Sequence, residues 1–244
     1  MTSVAVDHQL EAQVRAHVYV ALSSLIPYPN LRPDLGILEH IEFEDRMLEA
    51  ARAALVSADT GLGSMQAQHR ILFSAVESQD APSYETAYSK HDVFRQAQVM
   101  ADVAGFYLAH GLKPGGKRRD RPDGVGSQLE FLGVVAAQLS RALAEGDDDA
   151  VDLCRETRRT FLADHVGRWI PDYGRRVAAV SHDPFYVAFG EFIARWVELD
   201  MEELGVDPSG PELRPEEGRI EVTTAVADPR IRWDDDGFSC EALV

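Results

Sequence analysis

Three groups of residues in this chain of 244 have types and spacings that chemistry uses. Asp147, Asp148 and Asp149, with Asp152 close behind, gather the carboxylates that a hard divalent cation takes. A metal-dependent helical enzyme would place two such runs on facing helices around a cavity. The second run here, Asp234, Asp235 and Asp236, falls near the C-terminus, and a solvated loop with a helix N-cap accounts for the first run at less cost. The second group, Gly111, Gly116 and Lys117, has the GxxxxGK spacing of a phosphate loop. A working phosphate loop continues with Ser or Thr and follows a strand; Arg118 stands here, after a helix-like stretch, so the segment reads as a basic linker. The third group is Asp120, Arg121, Pro122, Asp123 and, a little further on, Glu130. Carboxylates beside a backbone stiffened by Pro suit recognition of a cationic partner through charge-assisted hydrogen bonds. Asp and Pro are also ordinary turn residues, and both roles are expected of the segment. None of the eight histidines forms HExxH, and no Ser sits in a GxSxG elbow. His165 and His182 fall near expected helix ends, where they cap or pack. The residues offer no nucleophile and no acid–base pair.

Helices must position these groups. Leu10, Val14, Val18, Leu22 and Leu25 recur at helical spacing within 8–26, and Pro27 and Pro29 end the run. Similar patterns predict helices over 42–56, 65–76, 91–110, 128–144, 150–165, 171–180 and 184–204. Pro171 and Pro184 open the last two, as Pro does in a first turn. Segment 111–126 is the most loop-like, with five Gly, two Pro and five Lys or Arg. A hinge there would separate an N-terminal lobe from a C-terminal one. After Pro208 the helical period stops, and four prolines and many acids predict an irregular acidic extension over 208–244, with room for a short strand at 220–223. The fold class is all-α: a helical bundle over 1–207 and a tail. Aromatic residues gather as Phe94, Phe106 and Tyr107, then as Phe185, Tyr186, Phe189, Phe192 and Trp196. Such stripes are usually core; some could line a groove for a peptide.

Composition narrows the function classes. The net charge is −17, which argues against nucleic acid and favours basic partners. No stretch approaches the roughly 20 apolar residues of a membrane span. Residues 1–9 carry neither a basic nor an apolar leader region, so the expected location is cytoplasmic. Cys154 and Cys240 form no CxxC pair, so neither a disulfide framework nor a thiolate zinc site is expected.

Three stretches carry a resemblance. The first is Tyr84-Glu85-Thr86-Ala87-Tyr88, running on to Asp102-Val103-Ala104-Gly105-Phe106-Tyr107-Leu108 and Gly111-Leu112. The second is Asp120-Arg121-Pro122-Asp123-Gly124 through Gln128-Leu129-Glu130-Phe131-Leu132. The third is Phe161-Leu162-Ala163-Asp164-His165 through Trp169-Ile170-Pro171, with Phe185-Tyr186 following. In order and spacing, over about 84–200, they resemble the TorD/DmsD/NarJ family of redox-enzyme maturation chaperones. Three positions depart from that family's pattern: Asp120 where Glu is usual, Gly124 for His, and Gln128 for Glu. The resemblance implies an all-helical, non-catalytic protein with no cofactor of its own, monomeric or dimeric. It implies binding to the catalytic subunit of a molybdenum oxidoreductase, often at its twin-arginine leader, while molybdopterin guanine dinucleotide is being loaded. Asp120, Arg121, Pro122, Asp123, Glu130, Phe106 and Tyr107 are the expected partner-binding residues. The other readings open from the sequence are a metal-dependent helical enzyme using the acids from Asp147 to Asp152, and a helical scaffold or regulator.

Overall fold

The computed structural model describes residues 2–73, 80–88, 93–113, 121–207 and 241–242. The chain opens with α1 (Thr2–Ser24), a single turn α2 (Gly36–Glu39), α3 (Arg46–Ser57) and α4 (Leu62–Phe73). A 3-10 turn at Glu85–Ala87 precedes α5 (Val93–Ala109), which a two-residue strand β1 (Leu112–Lys113) follows. Then come α6 (Val125–Glu145), α7 (Asp148–Asp164), a second 3-10 turn at Val166–Arg168, α8 (Ile170–Val180) and α9 (Pro184–Leu204). The all-α expectation holds. β1 pairs antiparallel with β2 (Glu241–Ala242), in the register Leu112 to Ala242 and Lys113 to Glu241. The strand expected at 220–223 lies outside the described residues.

Caps account for most of the boundaries. Asp45 accepts a hydrogen bond from the Leu48 N–H at 2.8 Å, so α3 starts after it and not at residue 42. Asp147 accepts from the Ala150 N–H at 3.0 Å and opens α7; the acidic run is a helix cap and first turn. Asp183 does the same for α9, accepting from Phe185 at 3.0 Å. Gly111 has φ +74 and follows the last turn of α5, where its N–H donates to the Leu108 carbonyl at 3.0 Å. It ends a helix; the rest of the GxxxxGK match, from Pro114 on, lies outside the described residues. Among those described, no group of three His, Cys, Asp or Glu is placed to hold a metal ion.

The core is one cluster that spans both sides of the 111–126 loop. α1 lies along α6, and α9 packs against both α3 and α8. Val18, Tyr19 and Leu22 from before the loop share that core with Leu129, Phe131 and Phe161 from after it. The two halves therefore interlock rather than meeting only at a hinge. Phe185, Tyr186, Phe189, Phe192 and Trp196 are all buried core on α9. Leu10 is not: it is 57% exposed, and α1 buries Ala12, Ala16 and Tyr19 instead. α8 and α9 approach backbone to backbone, because a Cβ on Gly174 would stand 2.5 Å from the Gly190 carbonyl oxygen. Asp200 on α9 is buried and receives Arg15 at 2.7 Å, the Tyr19 hydroxyl at 2.6 Å and the Arg158 guanidinium, pinning α1 and α7 to α9. Among the described residues no helix is long and apolar enough to cross a membrane.

Candidate partner-binding site

Arg121, Pro122, Asp123 and Gly124 make a tight turn, closed by the Gly124 N–H donating to the Arg121 carbonyl at 3.0 Å. This turn leads straight into α6, whose N-cap is Gly124 at φ −73 and ψ 146. It is stitched to the segment before α5. Tyr84 and Gly124 form an isolated antiparallel bridge, the Glu85 N–H donates to the Asp123 carbonyl at 2.9 Å, and the Val125 N–H donates to the Ser83 carbonyl at 2.9 Å. The Tyr107 hydroxyl, reaching across from α5, donates to the Pro122 carbonyl at 2.7 Å.

The side chains at this junction form two linked networks. In the first, the Asp123 carboxylate is fully buried and accepts four hydrogen bonds: from Arg121 Nε at 2.8 Å, an Arg121 terminal nitrogen at 3.1 Å, the Thr86 N–H at 3.2 Å and the Thr86 hydroxyl at 2.8 Å. The Arg121 guanidinium also lies 4.2 Å from the centre of the Tyr84 ring. In the second, Glu85 is buried and takes a hydrogen bond from Gln128 Nε2 at 2.5 Å and from His165 Nδ1 at 3.0 Å. Trp169 Nε1 donates to Gln128 Oε1 at 2.9 Å, and His165 Nε2 faces the Asp102 carboxylate at 3.3 Å. Phe106 sits against both Phe161 and His165, with ring centroids 5.2 and 5.7 Å away.

The electrostatics follow from this geometry. Burial works against charge on His165, but the nearby Asp102 carboxylate and the hydrogen bond to Glu85 outweigh it and raise its pKa from 6.5 to about 9. Asp102 is held below its ordinary value by the same contact with His165. The two carboxylates that flank His165 thus favour its charged, doubly protonated form. The site holds fixed charges and donors.

The expected partner-binding residues sort by exposure. Arg121 is the exposed one, with 43% of its side chain open, while Asp123 behind it is wholly closed off. Pro122 is half-buried, Tyr107 is buried, and Phe106 and Glu130 are half-buried. Asp120 lies outside the described residues, as does the Phe94 side chain. With Arg121 in place, the Asp123 carboxylate is closed off from solvent. Glu85, Asp102, Gln128, His165 and Trp169 were not among the expected site residues, though all lie inside the three resembling stretches. Their signal was a polar group set among apolar helical neighbours, as Gln128 is beside Leu129 and His165 is beside Val166.

These three stretches, scattered over 80 residues and more, thus meet around Glu85: Glu85 and Asp102 from the first, Gln128 from the second, His165 and Trp169 from the third. The fold is that of an all-helical protein with a polar network buried where the three stretches meet. Comparison with known proteins gives the family. The sequence model of the nitrate reductase delta subunit family matches residues 42–173, more than half of the chain. The chain belongs to that family, which is the NarJ/TorD family of the resemblance. It is 23% identical to the chlorate reductase assembly chaperone protein of Ideonella dechloratans over 78% of this chain and 89% of that one. It is 24% identical to the selenate reductase assembly chaperone protein of Thauera selenatis, over 77% and 88%. It is also 24% identical to the chaperone protein TorD of Shewanella loihica, over 82% and 86%.

Proposed function

We propose that this protein is an assembly chaperone for the catalytic subunit of a molybdenum-containing oxidoreductase. Its task is to hold that subunit, through the subunit's basic leader segment, while molybdopterin guanine dinucleotide is inserted and before export. One observation carries the reading: the stretches that resemble the maturation chaperones converge on two adjoining networks, one at the turn Arg121–Gly124 and one around Glu85, in a chain that belongs to their family. Relatives named as assembly chaperones of chlorate and selenate reductases support the client class. The metal-dependent enzyme is the less favoured reading, since Asp147 caps α7 and Asp148 and Asp149 fill its first turn. The net charge of −17 favours a basic ligand, and such an encounter is long-range and salt-sensitive. The test is co-expression with a molybdenum-oxidoreductase catalytic subunit from the same organism. Co-purification of the two, and a lower molybdenum content in the client when the chaperone is omitted, are the expected results. A client that is fully loaded without this chain would refute the proposal.

A further inference from the structure

The Arg121 guanidinium occupies a cage with every element that guanidinium recognition uses. A carboxylate fork takes Nε at 2.8 Å and a terminal nitrogen at 3.1 Å; the Thr86 hydroxyl accepts from that same terminal nitrogen at 2.8 Å; and the Tyr84 ring faces the carbon centre at 4.2 Å. The walls do not depend on the Arg121 side chain. Asp123 is fixed through its own backbone, whose carbonyl accepts from Glu85, and through the Thr86 N–H at its carboxylate. Tyr84 and Thr86 belong to a different segment, placed by the bridge to Gly124. Arg121 is only the occupant, reaching in from two positions upstream and leaving 43% of its side chain in solvent.

We infer that this cage is a receptor for an arginine side chain of the client, and that Arg121 is a tethered stand-in which the client's arginine displaces. The inference rests on the reading of this turn as the docking place of a basic client segment. Its physical logic is charge conservation. Asp123 is wholly buried, so leaving it without a cation would be costly. Exchange of one guanidinium for another keeps the buried carboxylate paired throughout, and the released Arg121 is solvated at the surface. Lysine cannot replace it on equal terms, because an ammonium lacks the planar fork and stacks less well. The self-occupied state would make the site selective: a weakly basic segment does not outcompete a tethered arginine, whereas one that adds apolar contacts beside its arginine does.

The test uses the full chain carrying Arg121→Ala, and separately Arg121→Gln, which keeps a donor toward Asp123 should the first variant fold poorly. The probes are N-acetyl-L-arginine amide and N-acetyl-L-lysine amide, followed by the Thr86 amide resonance and by the melting temperature. The arginine probe should bind the variants about tenfold more tightly than it binds the wild type, and should restore part of the melting temperature lost with Arg121. The lysine probe should do neither, and adding Asp123→Asn should abolish the rescue. Absence of arginine binding to both variants at about 50 mM, equal binding to the wild type, or equal rescue by lysine would each overturn the cage. The two readings fail separately. A client that never co-purifies, with the arginine rescue intact, removes the chaperone assignment; a client that co-purifies, with no rescue, removes the cage.

Discussion

Raising the pH through the pKa of His165 tests the second network directly. The folded protein holds this imidazole at about 9 against an ordinary value of 6.5, with Glu85 at 3.0 Å and Asp102 at 3.3 Å. A group whose folded pKa is raised binds its proton more tightly when folded. Its contribution to stability is therefore complete below about 6.5, declines above that, and is gone once the pH exceeds about 9. A displacement of about 2.5 units corresponds to about 3 kcal/mol, and in a chain of this size to a melting-temperature change of roughly 6–12 °C. His165→Gln removes the titration while keeping a side chain that can donate to Glu85. Urea unfolding of both proteins from pH 6 to pH 10 isolates the effect, because the other titrating groups are common to the pair. The gap between wild type and variant should be largest near pH 6 and narrow by about 3 kcal/mol by pH 10. A gap that stays constant across this range would show that His165 is not held as an imidazolium between the two carboxylates.

Other perturbations reach different parts of the molecule. Asp123→Ala leaves the Thr86 N–H and hydroxyl and the Arg121 guanidinium without their acceptor, and should cost about 3–5 kcal/mol in urea unfolding; a loss under about 1 kcal/mol would place Asp123 at the surface after all. Asp200→Ala strands Arg15 and Arg158 beside the Tyr19 hydroxyl, and should lower stability by a similar amount without affecting client capture. Gly124→His, which installs the residue usual in the family, meets no forbidden backbone angle at φ −73; but its Cβ falls 3.1 Å from the Arg121 carbonyl oxygen, so a loss of about 1 kcal/mol is expected on thermal melting. Association with a leader peptide should weaken steadily with ionic strength, and indifference to salt would exclude an electrostatically guided encounter.

Much was legible before any coordinates, because local rules govern it. Apolar spacing located the long helices, and Asp147, Pro171 and Pro184 mark helix starts through interactions within one turn of the chain. The order of the three resembling stretches also pointed to the family and to the turn at 121–124. Other features depend on contacts that no local pattern encodes. Leu10 and Val18 both sit on the apolar period of α1, yet only packing against α6 decides that the second is buried and the first is not. Asp123 read as a presented carboxylate, since an acid in a Gly-rich, charged loop is usually solvated. It is buried because Thr86, 37 positions away, supplies two of its four hydrogen bonds and Arg121 covers it with the other two. Glu85 and His165 are 80 positions apart, and neither carries a sign of the other in its own neighbourhood. A polar side chain survives burial only when its partners are in place, and those partners come from whichever segments the core has brought alongside. Helix positions and family were therefore written locally along the chain, whereas the closure of the cage around Arg121 and the charge on His165 were settled by tertiary packing.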